Sequence, residues 1–382
     1  GIDRFLYVSF DTACSFAAPC QARGQDSSNM IIMIMKNEDF NCPIPLNDAD
    51  CVLMAHGGGG RMTHQLISNI FYPAFRNPLL EQDHDGCVFP VQEGRMACST
   101  DSFVVDPIFF PGGDIGDLAV NGTVNDLACC GARPLYLTAG FILEEGLPLA
   151  DLQRIVQSMR KAADKAGVQI VAGDTKVVER GKCDKLFINT SGIGVVAESI
   201  RIAPDRVQPG DAVICSGPIG AHGITILSAR ESLGFETNLK SDTVSLNNML
   251  SRLLKNIEEV HVLRDPTRGG VSGILNEIAK AANVEIILDE AALPIPDAVR
   301  GASEILGLDP LYVANEGLVL VILPEALAEE ALVVMRSFPE GEKATVIGRV
   351  EKKGNAVVKM RTLYGNYRIV DMLSGEQLPR IC

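Results

Sequence analysis

The sequence predicts two mixed α/β domains, and three observations support this fold class. The chain has 382 residues, and roughly 150 residues are typical of one domain. Helical and strand-like patterns alternate from Cys51 onward, and a stretch containing proline and glycine at 202–210 interrupts them. We expect a disordered or atypical extension over 1–42, a first domain over 43–200, a second domain over 201–372 and a flexible tail over 373–382.

The first half of the chain contains the clearest helix, which we predict over 149–166. Leu152, Ile155 and Met159 fall on one face of this helix, and Gly167 follows it as a C-cap. The other elements predicted there are an amphipathic stretch over 62–71, a helix over 114–130 and strands over 95–105, 134–143, 168–171 and 186–196.

The second half shows the same alternation of apolar strands and amphipathic helices. The final stretch, 346–361, is typical of a closing β-hairpin, because Lys353-Gly354-Asn355 supplies a turn between two strand-like runs. Before it we predict strands over 212–215, 284–288 and 318–323, and helices over 222–233, 271–282, 298–306 and 326–336.

Composition excludes several classes of function. Lys and Arg number 34 while Asp and Glu number 48, which gives a formal net charge of −14. Nucleic acids and anionic membranes both attract basic surfaces, so this charge disfavours either partner. No apolar run reaches the ~18 residues of a membrane span. The 11 cysteines lack the spacing of a disulfide framework, which favours free thiols and a cytoplasmic location.

Standard phosphate-binding loops are not found in the sequence. The glycine-rich turn 57–60 is followed by Arg61-Met62-Thr63 rather than by Gly-Lys-Ser/Thr, so it is not a Walker A loop. Gly192 and Gly194 form a GxG pair, but the third glycine of a dinucleotide fingerprint is missing.

Several aspartates stand where predicted strands and helices begin or end. Carboxylates gathered at chain turns suit Mg²⁺, which proteins bind through a few carboxylates together with substrate phosphates. An Asp in front of a helix can instead serve as an N-cap, so each position alone leaves both interpretations open. The five candidates are Asp85, Asp101, Asp126, Asp174 and Asp265.

Two of these positions are more informative than the others. Asp126 lies inside a helix of small and apolar residues, where a carboxylate is costly unless it has a partner. Asp265 begins the motif Asp-Pro-Thr-Arg-Gly-Gly, in which Arg268 offers a fork for phosphate oxygens and Gly269-Gly270 permits close backbone approach. A plain loop-to-helix junction explains this motif equally well.

The sequence ends in Leu-Pro-Arg-Ile-Cys, with Cys382 as the last residue. Chain ends are usually mobile, so a thiol at this position can act as a swinging carrier. Pro379 stiffens such an arm, and Arg380 could steer it towards an acidic site.

Taken together, these motifs resemble the HypE family of hydrogenase maturation factors. The resemblance extends from about Cys51 to Cys382, and the terminal Pro-Arg-Ile-Cys is its most specific part. The acidic motifs are shared more widely, with aminoimidazole ribonucleotide synthetase and selenophosphate synthetase. The segments that carry the resemblance are 100–107, 122–128, 173–178, 265–270, 314–317 and 379–382.

The resemblance implies both a fold and an activity. The family has a two-domain PurM-like fold and forms homodimers through a β-barrel shared by the N-terminal domains. It uses ATP and Mg²⁺ to dehydrate a carbamoyl group on the terminal cysteine to a thiocyanate. The cyanide becomes a ligand of the iron in NiFe hydrogenase. The implied partners are the carbamoyltransferase HypF, which supplies the carbamoyl group, and the HypC–HypD complex, which accepts the cyanide.

The resemblance also assigns roles to residues of this chain. Cys382 would be the covalent carrier, and Glu316 and Lys176 match the positions that face the modified cysteine. One of these two residues would remove N–H protons as a general base. The implied metal ligands are Asp101, Asp126 and Asp265, and the implied nucleotide contacts are Asp85, Asp101, Asn125, Asp126, Asp174, Thr175, Asp265, Arg268 and Gly269.

Two alternatives remain at this point. Another ATP-using synthetase of the same superfamily would share the acidic motifs. A selenophosphate synthetase, however, would need a reactive cysteine beside the glycine-rich segment, and Cys51 lacks that setting. A non-enzymatic scaffold that delivers metal through the tail thiol would also fit acidic turns and a terminal cysteine. It predicts no turnover of ATP.

Overall fold

The computed structural model describes residues 50–82, 86–90, 92–231 and 238–372. The extension predicted over 1–42 and the tail predicted over 373–382 lie outside these residues. A helical segment precedes the first sheet. It contains α1 (Arg61–Leu66) and α2 (Tyr72–Phe75), which a π-helical turn over Ile67–Phe71 joins.

The first half of the described chain folds into a four-stranded mixed sheet with two helices on one face. Its elements are β1 (Arg95–Phe103), β2 (Phe109–Phe110), β3 (Gly113–Asp114), α3 (Ile115–Cys129), β4 (Arg133–Glu144), α4 (Leu149–Ala166), β5 (Gln169–Val178) and β6 (Leu186–Val196). The strand order is β1-β6-β4-β5, and β4 and β5 run parallel, whereas the other pairs are antiparallel. β2 and β3 pair separately with each other.

Side chains alternate between the two faces of this sheet, as expected for strands. Thr190 of β6 is buried, whereas its neighbour Asn189 is exposed. The buried face packs against α3, since Thr190 Oγ1 donates a hydrogen bond to the carbonyl of Ala119 at 2.8 Å. The opposite face is largely exposed, and Met96 and Ile142 are 51% and 42% exposed there.

Glycines let α3 approach its neighbours closely. A Cβ on Gly116 would lie 2.4 Å from the carbonyl oxygen of Ile155 in α4. A Cβ on Gly122 would lie 2.8 Å from the ring of Phe103 in β1. A larger residue at Gly116 would push α3 away from α4, and one at Gly122 would push it away from β1, so these glycines set the distance of α3 from both neighbours.

The second half forms a seven-stranded sheet. Its elements are β7 (Asp211–Cys215), α5 (Ala221–Glu231), α6 (Asn247–Asn256), β8 (Val262–Arg264), α7 (Gly270–Ala282), β9 (Val284–Asp289), α8 (Asp297–Leu306), β10 (Leu320–Pro324), α9 (Ala328–Arg336), β11 (Thr345–Lys353), β12 (Val357–Arg361) and β13 (Tyr367–Ile369). The strand order is β13-β12-β9-β11-β7-β10-β8. None of the helices within the described ranges is long and apolar enough to cross a membrane.

Alternate residues of the central strand β7 belong to two different cores. Val213 and Cys215 pack with α7 on one face of the sheet. Ala212 and Ile214 pack with α6 and α9 on the other face, and Ala128 of α3 belongs to that same core. The helix α3 therefore contributes to the contact between the two halves of the described chain.

The hairpin predicted over 346–361 is wrong. β11 and β12 do not pair with each other, because β9 lies between them, antiparallel to β11 and parallel to β12. A buried glutamate of β9 helps to hold this arrangement. Glu285 accepts a hydrogen bond from Asn355 Nδ2 at 2.9 Å and pairs with Lys359 Nζ at 3.0 Å. The turn at Gly354 thus crosses the end of β9.

Several elements, which include β2, β3, β8, β13 and α6, were not predicted from the sequence. β8 and β13 have three residues each, which is too short for a periodic pattern. α6 begins with two asparagines, and its apolar residues, which include Met249, Leu250 and Leu253, are fewer than those of α4. The other predicted helices and strands occur close to their expected positions.

The N-terminus of α3 generates a prediction about pH. Asp114 caps the helix by accepting hydrogen bonds from the backbone N–H groups of Gly116 and Asp117. Burial, and then the negative charge of Asp114, raise the pKa of Asp117 to about 7 from a usual value of 3.8. The folded chain therefore holds this proton up to a higher pH than the unfolded chain. Asp117 thus makes the free energy of unfolding fall as the pH rises between these two values.

We expect Asp117→Asn to remove this dependence, since the amide keeps the size of the side chain and carries no charge. The variant should melt at a higher temperature than the natural protein at pH 8, and the difference should shrink towards pH 5. Thermal unfolding followed by circular dichroism measures both. Asp297→Asn, an exposed aspartate in the first turn of α8, is the control. Parallel melting curves for Asp117→Asn and the natural protein across this range would contradict the assignment.

Candidate active site

Four carboxylates meet where the two halves of the described chain come together. Asp101 lies near the end of β1, Asp126 in the last turn of α3, Asp265 just after β8 and Glu316 in the loop before β10. They are close enough that the charge of Asp101 raises the pKa of each of the other three. We call these four residues the carboxylate cluster.

Burial dominates the electrostatics of the carboxylate cluster. Burial, and then the charge of Asp126, raise the pKa of Asp265 to about 7. Burial, followed by the charges of Asp242 and Asp265, raises the pKa of Glu316 well above its usual value. At neutral pH the isolated cluster therefore retains protons on some of its carboxyl groups. A cation beside the cluster would lower these pKa values and release the protons.

Two members of the carboxylate cluster, Asp126 and Asp101, contact neighbouring polar side chains. Ser99 Oγ donates a hydrogen bond to Asp126 Oδ2 at 2.6 Å, which opposes the rise in the pKa of Asp126 that burial causes. Arg268 Nη2 lies 3.8 Å from Asp101 Oδ1, and the Arg268 side chain is 80% exposed. The guanidinium is thus free to move towards a ligand at the cluster.

Asn125 ties α3 to the second half of the chain. Its Nδ2 donates to the carbonyls of Val244 and Glu316 at 3.0 Å and 3.3 Å, and its Oδ1 accepts from the N–H of Leu246 at 2.8 Å. The side chain is buried. Asn125 was predicted as a nucleotide contact, and in this structure both of its polar ends are engaged by backbone groups.

The motif at 265–270 forms the turn into α7. Gly269 and Gly270 have φ values of +77° and +60°, which favour glycine. We expected a backbone to come close to these glycines, and the backbone that does so is that of Leu311. A Cβ on Gly270 would lie 2.5 Å from the carbonyl oxygen of Leu311. The pair therefore places Asp265 and Arg268 by packing the start of α7 against segment 310–313.

Sequence reasoning missed Asp242, which fixes the position of Glu316. Its partly buried carboxylate accepts hydrogen bonds from the backbone N–H groups of Glu316 at 3.2 Å and Gly317 at 3.0 Å. The two chain segments touch so closely that a Cβ on Gly317 would lie 1.8 Å from the carbonyl oxygen of Asp242. The only signal in the sequence is an aspartate between Ser and Thr, which is equally typical of an exposed loop.

The structure does not bring Asp174 and Lys176 to the carboxylate cluster. Asp101 is in register with Thr190 of β6, Ala139 of β4 and Gly173 of β5, so these residues share the buried face. Asp174 is the next residue along β5, and its side chain lies on the opposite, exposed face.

Lys176 lies on that exposed face too. Its Nζ lies 2.7 Å from both carboxylate oxygens of Asp174, and both side chains are about two-thirds exposed. Thr175 lies between them and belongs to the buried face. Two other candidates, Asp85 and Cys382, lie outside the described residues.

The oxygen atoms of the carboxylate cluster fit Mg²⁺. Within the described ranges, no group of three or more His, Cys, Asp or Glu side chains is already arranged around a metal position. Mg²⁺ does not need such a cage, since it usually binds through one or two carboxylates and completes its shell with phosphate oxygens and water. The raised pKa values of Asp126 and Asp265 indicate an excess of negative charge that a divalent cation would neutralise.

Comparison with known proteins identifies both halves of the chain. Residues 83–196 match the N-terminal domain of AIR synthase related proteins, and residues 208–361 match the C-terminal domain. The carbamoyl dehydratase HypE of Azotobacter vinelandii is 53% identical over 331 residues, which cover 87% of this chain and 97% of that protein.

Solved structures give the same result. A crystal structure of the hydrogenase maturation protein HypE in complex with ATP matches with a TM-score of 0.83 and 51% identity, and covers 86% of this chain and 99% of the other. A structure of a HypE–HypF complex matches with a TM-score of 0.71 and 48% identity, over 81% of this chain and 99% of that one.

The contact between Asp242 and Gly317 generates a prediction about stability. Gly317→Ala would place a methyl group inside the backbone of Asp242, so the loop that carries Glu316 must move. We expect the free energy of unfolding to fall by about 1–3 kcal/mol. Gly301→Ala in α8 is the matched control, since a Cβ there meets nothing within 4 Å. That variant should gain up to about 1 kcal/mol in helix stability. Urea denaturation compares the two, and equal stabilities would contradict the contact.

Proposed function

Since the chain belongs to the HypE carbamoyl dehydratase family, we propose that it converts an S-carbamoyl group on Cys382 into an S-cyano group with consumption of ATP. Membership of this family confirms the expected two-domain PurM-like fold. The observation that carries the proposal is the carboxylate cluster, in which the buried Glu316 lies beside three partly buried aspartates suited to a metal-bound phosphate.

The position of Asp371 beside α7 supports Cys382 as the carrier. Ser272, in the first turn of α7, donates a hydrogen bond to the carbonyl of Asp371 at 2.7 Å. The same helix begins five residues after Asp265. Cys382 is the tenth residue after Met372, and ten residues of extended chain span about 33 Å. A tail that starts beside α7 is therefore long enough to bring its terminal thiol to the carboxylate cluster.

The proposed chemistry turns an amide oxygen into a leaving group. Phosphoryl transfer from ATP to the carbamoyl oxygen breaks the bond between the β-bridging oxygen and the γ-phosphorus, and one proton leaves the carbamoyl nitrogen. Loss of the second N–H proton and of phosphate then forms the C≡N bond. The products are the S-cyano group, ADP and phosphate, so one water has been removed in total.

Mg²⁺ would be held by Asp101, Asp126 and Asp265, and when bound it would neutralise charge on the phosphates. Arg268 is exposed and lies beside Asp101, so its guanidinium can donate hydrogen bonds to phosphate oxygens. Gly269 is the N-cap of α7 directly after Arg268, and it has no side chain at the start of that helix.

Glu316 is the proposed general base. Burial and the neighbouring acids raise its pKa well above the usual value, which favours its protonated form in the free protein. Neutralisation of Asp101, Asp126 and Asp265 by a cation would lower this pKa and leave a carboxylate that can accept a proton from the carbamoyl nitrogen. Asp242 keeps the backbone of Glu316 in place during this change.

The exposed face of the first sheet supports the expected homodimer. It carries exposed Met96 and Ile142, and pairing with a second copy would cover them in the shared β-barrel that the family implies. Lys176 and Asp174 lie on this face as well. A contribution of either residue to the reaction would therefore depend on that pairing.

One proposed partner is suggested by a similar structure, and the other by the family resemblance. One similar structure is a HypE–HypF complex, and we propose a carbamoyltransferase of the HypF type as the source of the carbamoyl group. A HypC–HypD complex would accept the cyanide for the iron of a NiFe hydrogenase. Seven cysteines of the described chain are free thiols, which supports a reaction in the cytoplasm.

The test is Glu316→Gln, which keeps the size of the side chain and cannot accept the proton. The variant should become carbamoylated on Cys382 in the presence of HypF, carbamoyl phosphate and ATP, because the partner performs that step. It should then lose water about 10²- to 10⁴-fold more slowly than the natural chain. Intact-mass spectrometry follows both steps.

Glu329→Gln, an exposed glutamate in the first turn of α9, should dehydrate at the natural rate. Rapid loss of one water in Glu316→Gln would exclude Glu316 as the base. Absence of any carbamoylated species in the natural chain would instead exclude the proposed function.

A further inference from the structure

The hairpin of β12 and β13 exposes a group of apolar side chains that take no part in the proposed reaction. Tyr364 near its tip is 93% exposed, and Tyr367 and Ile369 of β13 are 57% and 64% exposed. Leu363 and Met372 are exposed as well. Scattered exposed apolar residues are normal, but these five follow one another closely along the chain, and a group of this kind indicates an interaction site. We call them the hairpin patch.

The strand β13 is also an open edge of the seven-stranded sheet, since within the described ranges it pairs with β12 alone. The N–H of Val370 donates to the carbonyl of Val358 in β12 at 2.9 Å. Backbone groups alternate in direction along a strand, so those of Arg368 also point to β12. Those of Tyr367 and Ile369 point to the open side, where each residue offers one donor and one acceptor to an added strand.

The C-terminal segment 376–380 is the strand best placed to cover this edge. β13 ends at Ile369, and the described residues end at Met372, so the rest of the chain starts beside the edge. Ser374-Gly375 precedes the segment and is typical of a turn. The chain can therefore reverse after Met372 and run antiparallel to β13.

The covalent link to β13 favours this segment over a separate chain. β13 has only three residues, whereas stable interfaces between two chains bury about 1,200–2,000 Å². So short an edge cannot by itself hold a second copy or another protein. A segment joined through a short linker is instead present at an effective concentration in the millimolar range, so a weak pairing is sufficient.

Pro379 limits how the segment can pair with the edge. Proline has no N–H group, so in an added strand it fits only where the backbone points away from the neighbouring strand. That condition is met when Pro379 lies opposite Arg368, whose own backbone groups point to β12. Leu378 and Arg380, on either side of Pro379, then direct their backbone groups to the open edge.

We propose that segment 376–380 adds to the open edge of β13 as an antiparallel strand. Leu378 lies opposite Ile369, and this pair extends the hairpin patch. Arg380 lies opposite Tyr367, and its guanidinium contacts the tyrosine ring. Both pairs lie on the exposed face of β13, because directly opposite residues of a sheet share a face.

This pairing also sets the position of the terminal thiol. Cys382 is the second residue after Arg380, so it lies beside Gly365 near the tip of the hairpin. A strand from Gly365 to Asp371 spans about 20 Å, and Asp371 is the residue that contacts the start of α7. If Cys382 is the carrier, as the proposed function requires, the segment must leave β13 before the thiol reaches the carboxylate cluster.

Hydrogen exchange of the full-length protein tests the proposal, with mass spectrometry that resolves single amides by electron-transfer fragmentation. In Leu378→Pro the segment loses an N–H that bonds to the edge. The amides of Tyr367 and Ile369 should therefore exchange at least tenfold faster in this variant than in the natural chain. The measurement needs neither ATP nor a partner protein, so its result does not depend on whether the chain dehydrates a carbamoyl group.

The matched control is Gln377→Pro, which introduces the same residue one position earlier. In the proposed register the backbone groups of residue 377 point away from β13, so this variant should keep the slow exchange of the natural chain. Equal exchange of Tyr367 and Ile369 in the natural chain and in Leu378→Pro would overturn the proposal. Fast exchange in Gln377→Pro as well would rule out the register, and with it the proposed pairing.

Discussion

Burial of like charges in one place is the constraint on which the rest of this structure depends. Three aspartates and Glu316 lie close together at the junction of two sheets, and their pKa values are raised by burial and by one another. Such an arrangement is unfavourable unless surrounding groups hold it in position. Ser99, Asn125 and Asp242 supply that support from three different segments of the chain.

The junction also explains why the packing around it is so close. α3 approaches β1 and α4 through glycines, and it shares a core with α6 and α9 of the other half. Asp126 is therefore carried by a helix that contacts both halves. Family membership, the ATP complex of a relative and the position of Asp371 beside α7 all fit one proposal, in which the carboxylate cluster receives a nucleotide and a carrier tail.

Much of this could be predicted from the sequence where the signal is local. Local patterns include the periodicity of α4 and the apolar runs of β4 and β6. An aspartate among the apolar residues of α3 is another such pattern. What depends on pairing between distant segments could not be predicted. Strand register and tertiary contacts determine that β9 lies between β11 and β12 and that Asp101 and Lys176 lie on opposite faces. They also determine that Asp242 accepts a hydrogen bond from the backbone of Glu316. No periodic pattern in the sequence indicates these long-range features.

The central claim is that the carboxylate cluster holds protons in the free protein and releases them to solvent when Mg²⁺ and ATP bind. Calorimetric titration with preformed Mg·ATP at pH 7, in buffers that differ in ionisation enthalpy, measures this exchange directly. Because burial and neighbouring charges raise the pKa of Asp265 to about 7 and that of Glu316 well above its usual value, the account predicts a net release of protons on binding. A binding enthalpy that is the same in every buffer, or proton uptake, would contradict it.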